Sequence, residues 1–433
     1  MTPQAEFMVL APIIPARVAE LRALLDSMNE APGRVNQANA VVPFAQIESL
    51  HFSRLLILDD TTTEDVRVYG ITPRVYPLYL AFLGDIDGDA ETFFHDLARL
   101  APEGLRALFS CCENFTPEAD LVRWMKQHRV RAIANYANWP GRTVRRIREE
   151  AALHDALEVY LQRDATAMRA LSPLQLRAVA QKFLQGEVAA GRLSFTEEKA
   201  TPLSWQIKNF LHLIGMPLLI LLVLPLLILI APFYLIRLRQ LEKSDPELCG
   251  RVDQTHADLL SSLEDHDVTN QFSLLGSIKP GLVRRATLIG VLLSVNYAAR
   301  HLVRPGRLGR VRSIHFARWV FLDRQERMVF FSNYDGTVES YMDDFINKAG
   351  FGLNAFLGNG VGYIKTNWLV LDGCNDEQKY RNFLRRHTLA TQVWYKAYPG
   401  LTAIDLERNG RIRAGLKASS MSEPEAREWA ALL

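Results

Sequence analysis

The residues most able to do chemistry occur as matching histidines in two halves of the chain. His51 and His315 begin the segments HFSRLLIL and HFARWVFL, which are rich in strand-forming residues. An imidazole changes its charge near neutral pH and ligates metals, so either histidine could serve as an acid, a base or an iron ligand. The alternative for each is a structural histidine at a strand end.

Two arginines and two aspartates accompany these histidines. Arg54 and Arg318 lie inside apolar strands, where a charge is costly unless it is paired. Asp87 and Asp335 follow the neighbouring strands, in the turns IDG and YDG, and are the expected ion-pair partners of the arginines. Such pairs could support catalysis, but they could equally only stabilise the fold, with each aspartate capping the next helix.

These matches belong to an internal duplication. Four blocks of the first half return in the same order in the second half: 7–18 as 272–283, 47–60 as 311–324, 82–97 as 330–345, and 128–143 as 387–402. Blocks that recur in order indicate a repeated structural unit. The copies differ at GDID versus SNYD, so they need not share an activity.

Each copy predicts the element order β-α-β-β-α-β, with one added helix in the first. Strands are predicted at 7–14, 49–58, 77–84, 129–137, 270–278, 312–322, 327–333 and 389–397, and helices at 15–28, 90–100, 117–128, 281–301 and 337–349. This order is the ferredoxin-like arrangement. We therefore predict an α+β fold in which two tandem ferredoxin-like repeats form an intramolecular α/β barrel.

An apolar run from Phe210 to Ile236 separates the copies, and it contains no acid or base other than His212. A helix needs roughly 20 apolar residues to cross a bilayer, so the run is long enough. Pro225 lies near its middle, and basic residues flank both ends. We predict a membrane-inserting hairpin with Pro225 deepest and both repeats on the cytoplasmic side. A true span, with barrel pairing between chains, is the alternative.

The duplication argues that 287–303, although apolar, is a core helix and not a second span. The predicted organisation is then a first repeat, a helical connector, the hairpin, a short helical connector, a second repeat and a C-terminal tail: 1–145, 146–200, 201–245, 246–268, 269–412 and 413–433. A terminal helix is expected in the tail, from SMSEPEAREWAALL.

Composition limits the possible partners and the cellular setting. Among 433 residues, 50 are basic and 48 acidic, which gives no electrostatic case for nucleic acid binding. The four cysteines (Cys111, Cys112, Cys249 and Cys374) have no CxxC spacing, which favours a reduced, cytoplasmic setting. The N-terminus has no basic segment before an apolar core, so no signal peptide is expected.

The tandem layout resembles the dimeric α/β-barrel superfamily, in which dye-decolourising peroxidases and chlorite dismutases bind haem b. GDIDG, from Gly84 to Gly88, is similar to the GxxDG pattern of the peroxidases, although here it lies in the first copy and is followed by DAET. The resemblance implies a membrane-associated, peroxidase-like oxidoreductase with haem b. His315 would be the proximal iron ligand, and Arg318 and Asp335 would support the same pocket.

Other assignments stay open from the sequence. Asp87 and Arg54, with His51 as the cofactor ligand, form a rival site. The barrel could instead bind a lipid-like or other apolar small molecule, or the duplication could build only a membrane-anchored scaffold. In each case the chain could form a homo-oligomer. An open pocket with a free histidine favours the enzyme, an apolar cavity favours the binding module, and a filled interior favours the scaffold.

Overall fold

The computed structural model describes residues 1–248, 250–303 and 305–433, and within them the chain is a mixed α+β protein with antiparallel sheets and one long apolar helix. The strands are β1 Gln4–Pro12, β2 Asn29–Ala31, β3 Arg34–Val35, β4 Leu50–Leu58, β5 Tyr79–Asp87, β6 Ala134–Ala137, β7 Thr269–Ser277, β8 Ile314–Leu322, β9 Arg327–Asp335, β10 Thr366–Asn367, β11 Leu371–Asp372 and β12 Val393–Lys396. The helices are α1 Val18–Asp26, α2 Ala90–Leu100, α3 Pro102–Ser110, α4 Leu121–Gln127, α5 Val144–Gln162, α6 Ala165–Arg169, α7 Pro173–Ala189, α8 Leu203–Ser244, α9 Gln254–Leu263, α10 Leu282–His301, α11 Val338–Leu357, α12 Glu377–His387, α13 Ala403–Lys417 and α14 Glu423–Ala430.

Strands occur at all eight predicted places, including the strand at 312–322, observed as Ile314–Leu322. The five predicted helices are also present, within a few residues of their expected bounds except at the C-terminal end of α11, which extends to Leu357. Sequence reasoning missed α3 and α12, and it missed the two-stranded hairpins β2–β3 and β10–β11. These hairpins are too short to show a recognisable alternation of apolar and polar residues.

The two four-stranded sheets exchange a strand between the halves of the chain. Their orders are β1-β5-β4-β12 and β6-β8-β9-β7. The last strand of the first half, β6, pairs with β8, where Tyr136 lies opposite Ala317. The last strand of the second half, β12, pairs with β4, where Tyr395 lies opposite Ser53. Each half therefore completes the sheet of the other.

The sheets face each other across an apolar core, and helices cover their outer faces. Residues from both sheets form the central core: Met8, Leu56, Leu58, Ala81, Leu83, Leu275, Val320, Leu322, Val329 and Phe331. Burying such side chains stabilises the fold by roughly 1.5–3 kcal/mol for each large one. The interior between the sheets is consequently filled with side chains.

The predicted connector and tail pack against each other. Leu153 of α5 and Ala180 of α7 share a buried cluster with Ile412 of α13 and Trp429 of α14. Helix α13 crosses the predicted boundary at residue 412, and the expected terminal helix is present as α14. Cys111, Cys112 and Cys374 are free thiols, while Cys249 lies outside the described residues.

The predicted hairpin is wrong, because the apolar run belongs to one helix, α8, of 42 residues. Pro217, Pro225 and Pro232 all lie inside it. An internal proline removes one backbone hydrogen bond and favours a kink, but it does not force the chain to reverse. By length and composition α8 and α10 could each cross a membrane, and the apolar window of α8 has no buried residue.

Both ends of α8 are bound to the same folded body. Before its start, Thr201 Oγ1 accepts a hydrogen bond from the Met1 ammonium at 2.8 Å. Near its start, Asn209 Oδ1 accepts one from Arg300 Nε of α10 at 2.7 Å. Directly after its end, Asp245 Oδ2 accepts from Lys279 Nζ at 2.7 Å and from Arg284 Nη2 at 2.5 Å.

The spacing of these contacts favours a bent α8, and its three internal prolines permit a bend. From Asn209 to Asp245 a straight helix is roughly 54 Å long, whereas from Arg284 to Arg300 on α10 it is roughly 24 Å. The difference exceeds what two pairs of extended side chains can bridge. The exposed middle of α8, for example Leu222 at 77% exposure, agrees with this bow. We call this bowed helix the arch.

Helix α10 packs as a core helix on one face only. Leu288 and Leu292 are buried against the body, whereas Leu282 and Leu293 are exposed. The helix contacts β6 on one side and α8 on the other. The prediction from the duplication therefore holds for the buried face, and the opposite side supports the arch.

Replacement of Asp245 tests how firmly the C-terminal end of the arch is held. Lys279 and Arg284 are only 3% and 1% exposed. Asp245→Ala therefore leaves two buried cations without their carboxylate. We expect the free energy of unfolding to fall by about 3–5 kcal/mol in denaturant titrations. The control is Asp96→Ala, which breaks an exposed ion pair with Arg99. Equal effects of the two substitutions would contradict this assignment.

Candidate functional site

A β-bulge places each of the paired histidines. The register between β4 and β5 shifts between Leu50 and Phe52, and that between β8 and β9 shifts between Ile314 and Phe316. A bulge adds one residue and breaks the alternation of side chains. Strict alternation would place His315 on the same face of the sheet as Trp319. Instead, His315 packs on Phe52 of the other sheet, with ring centroids 5.2 Å apart.

The histidines bind the aspartates that the sequence had assigned to the arginines. His51 Nε2 lies 3.0 Å from Asp87 Oδ1, and His315 Nε2 lies 2.7 Å from Asp335 Oδ1. His51 Nδ1 also contacts the hydroxyl of Tyr398 at 3.1 Å. His51 and His315 are 0% and 1% exposed, so both imidazoles are buried. The expected Arg–Asp87 and Arg–Asp335 pairs are thus replaced by His–Asp pairs.

The second oxygen of each aspartate caps a helix that starts after the exchanged strand. Asp87 Oδ2 accepts from the backbone N–H of Val144 at 2.9 Å, at the start of α5. Asp335 Oδ2 accepts from the N–H of Ala403 at 2.7 Å, at the start of α13. A carboxylate is stabilised at a helix N-terminus by free N–H groups and the helix dipole. Each His–Asp pair therefore joins a strand to a helix.

The arginines reach across the interface and bind the opposite sheet. Arg54 on β4 donates to the carbonyl oxygens of Phe272 (2.8 Å) and Ser332 (2.9 Å), and to the Asn333 side chain. Arg318 on β8 donates to the carbonyl oxygens of Phe7 (2.8 Å) and Gly84 (2.9 Å), and to the Asp85 carboxylate. Phe7, Gly84 and Asp85 match Phe272, Ser332 and Asn333 in the duplication. We call these two side chains the crossed arginines.

The charges at the crossed arginines are not symmetric. Arg318 has the buried Asp85 carboxylate and, at 3.5 Å, Glu6, whereas Arg54 meets the neutral amide of Asn333. Burial, followed by the nearby charge of Arg318, lowers the pKa of Arg54 from 12.5 to about 9. The stack of Arg54 on the Trp394 ring, 5.0 Å from its centroid, partly compensates for the missing carboxylate.

Tyr398 joins the two histidine clusters. Its ring centroid lies 5.8 Å from that of His51 and 6.2 Å from that of His315. Burial, together with the charges of Asp85, Asp87 and Asp335, raises the pKa of its hydroxyl well above the usual value. The phenol is therefore neutral across the physiological range.

The residues present do not fit a haem. The cavity beside His51, His315 and Tyr398 is only about 10 Å³, and so is the cavity between the crossed arginines. Pockets for ligands of drug size are roughly 300–1,000 Å³. Asp87, Asp335, Arg54 and Arg318 are each bound to the protein itself, so we derive no catalytic step through haem at this place.

Three further cavities differ in size and in lining. The apolar cavity under α10 and α11, between Leu288 and Phe356, measures about 30 Å³. Two larger hollows of about 230 and 200 Å³ contain charged and polar side chains, including Lys279 and Arg386. Among the described residues, no group of three or more His, Cys, Asp or Glu is arranged to hold a metal ion.

Some residues of this interface were not identified from the sequence. Asp85 and Asn333 stand at equivalent places in the two copies, and the difference between GDID and SNYD was the available signal. Tyr398 matches Trp139, and the change from indole to phenol was the only indication of its contact with His51. No sequence pattern indicated that the arginines would cross to the opposite sheet.

The asymmetry of the crossed arginines can be tested by paired substitutions. Arg318→Ala leaves the Asp85 carboxylate buried without its cation, so we expect a loss of about 3–5 kcal/mol in unfolding free energy. Arg54→Ala leaves only neutral acceptors and should cost about 1–3 kcal/mol. Denaturant unfolding measures both, with the exposed Arg99→Ala as control. A larger cost for Arg54→Ala would contradict the charge assignment.

Comparisons with known proteins do not place the chain in a family. No family model, no curated protein and no solved structure matches it. The resemblance to dye-decolourising peroxidases therefore stays a prediction.

Proposed function

We propose that the protein is a membrane-anchored scaffold, with a rigid two-sheet body held on one side of a bilayer by the arch. The observation that supports this most is the attachment of both ends of an exposed, apolar α8 to the same body. If α8 alone crossed the bilayer, its two ends would lie on opposite sides, and the body could keep its contacts with only one of them.

In this proposal the body consists of two tandem ferredoxin-like repeats that form a barrel-like pair of sheets. The strand orders β1-β5-β4-β12 and β6-β8-β9-β7 support it, because each sheet has the same order of equivalent strands once the last strands are exchanged. The crossed arginines and the apolar core fill the space between the sheets.

The arch enters one leaflet, and its apex near Pro225 lies deepest. A continuous helix keeps most of its backbone hydrogen bonds inside the hydrocarbon region, where an open turn would leave several unsatisfied. The basic residues Lys208, Arg237 and Lys243 stand near its two ends, where they meet the headgroups. By the positive-inside rule, both halves of the body then lie on the cytoplasmic side.

The filled interior favours a scaffold over the two alternatives. A peroxidase-like enzyme needs a free ligand and an open distal pocket, and a carrier that held its ligand in the apolar core would need a larger cavity there than the one of about 30 Å³. His51 and His315 are bound to aspartates. The oxidoreductase and homo-oligomer assignments stay predictions.

Labelling of both ends of α8 tests the membrane arrangement. Ser204→Cys and Ser244→Cys place a thiol at either end, and Leu222→Cys places one near the apex. In sealed vesicles we expect both end thiols to react with a membrane-impermeant maleimide from the same side, and the Leu222→Cys thiol to be shielded. Labelling of the two ends from opposite sides would rule out the arch. The unsubstituted protein is the control, because it measures the labelling of the four native cysteines.

Haem titration tests the scaffold against the enzyme. Because the space beside His315 and His51 is filled, we expect no Soret band that depends on either residue when haem is added to the purified protein. His315→Ala and His51→Ala should give the same spectrum as the unsubstituted protein. A Soret band that disappears in either variant would favour the oxidoreductase assignment.

A further inference from the structure

A strained turn lies beside the C-terminal end of the arch. It joins β10 to β11, and its residues Trp368 and Leu369 have φ angles of 52° and 67°. Asp372, at the end of the hairpin, has a φ of 62°. Large L residues rarely adopt this conformation, and such outliers persist only where their surroundings impose them.

The last turn of α8 imposes this conformation. The carboxylate of Glu242, which is 1% exposed, accepts from the N–H groups of Trp368 at 3.0 Å and Leu369 at 2.6 Å. It also accepts from Thr366 Oγ1 at 2.9 Å. From the other side, the buried Asn354 amide donates to the carbonyl oxygen of Val370 at 3.0 Å. The turn is thereby fixed to both α8 and α11.

The imposed conformation presents large apolar side chains to the outside. Trp368 is 53% exposed and Leu371 46%. Phe351, on the exposed face of the neighbouring helix α11, is 65% exposed. The Arg239 guanidinium lies over the Trp368 ring, 5.8 Å from its centroid. An exposed indole beside a basic group is the pattern found where proteins meet lipid headgroups.

We propose that this turn is a second membrane anchor, with the Trp368 indole in the headgroup region and Glu242 as the residue that positions it. The inference rests on the proposed membrane arrangement of the arch. The turn is continuous with the arch because Glu242 lies less than two helical turns beyond Ile236, where the uninterrupted apolar run ends. Arg237, Arg239 and Lys243 lie at the same end and complement an anionic lipid surface.

Tryptophan quenching in vesicles tests the anchor on the full chain. The protein is incorporated into vesicles of phosphatidylcholine and phosphatidylglycerol that carry bromine atoms near the headgroup end of the acyl chains. Trp205, at the start of α8, and Trp368 are the indoles expected to reach the lipid. Trp368→Phe should lower the lipid-quenched part of the emission about twofold. The buried Trp429→Phe is the matched control and should leave the quenched part unchanged.

A second variant tests the positioning role. Glu242→Gln keeps the side-chain volume but replaces one acceptor oxygen with a donor group, so the turn loses part of its support. We expect less lipid quenching of Trp368 while the protein still floats with the vesicles. Unchanged quenching in Glu242→Gln would remove Glu242 from the proposal.

The outcomes separate this inference from the proposed function. If the unsubstituted protein does not float with the vesicles, the membrane-anchored scaffold itself fails. If it floats and Trp368→Phe leaves the quenched emission unchanged, the membrane attachment stands and the second anchor fails. In the latter case the exposed indole would be available to a protein partner instead of the lipid.

Discussion

The two sheets are held in register by the crossed arginines. Each guanidinium extends from its own strand and donates hydrogen bonds to carbonyl oxygens of the opposite sheet. If one sheet slid along the other, these hydrogen bonds would break. A buried guanidinium that lost its acceptors would be costly, because only well-placed acceptors offset the free energy of its desolvation. The apolar core supplies most of the stabilisation, but it would allow many relative positions, whereas the arginines allow one.

The His–Asp pairs extend this constraint to the helices. Through Asp87 the first sheet fixes the start of α5, and through Asp335 the second sheet fixes the start of α13. Those two helices pack on each other. The polar residues that recur in both copies thus form a continuous structural framework.

The sequence was sufficient for the positions of the long strands, because alternation and duplication are local signals. It did not indicate the exchange of β6 and β12, since a last strand carries the same pattern whichever sheet it joins. The partners of Arg54 and Arg318 were missed for a similar reason: contacts between sheets have no fixed sequence spacing. Pro225 predicts a turn because proline disfavours helix, but a helix with exposed apolar faces can accommodate a kink.

The exchanged strands have a consequence for how the chain folds during synthesis. The β4 edge of the first sheet lacks its neighbour β12 until almost the whole chain has been made, so an unpaired edge stays open meanwhile. Helix α8 emerges in this interval, before the second sheet exists. Pairing across so long a separation is intrinsically slow. Early docking of α8 on lipid would hold the unfinished first half at the membrane surface, away from unpaired strand edges of other chains. It would stay there until β12 is made and pairs with β4.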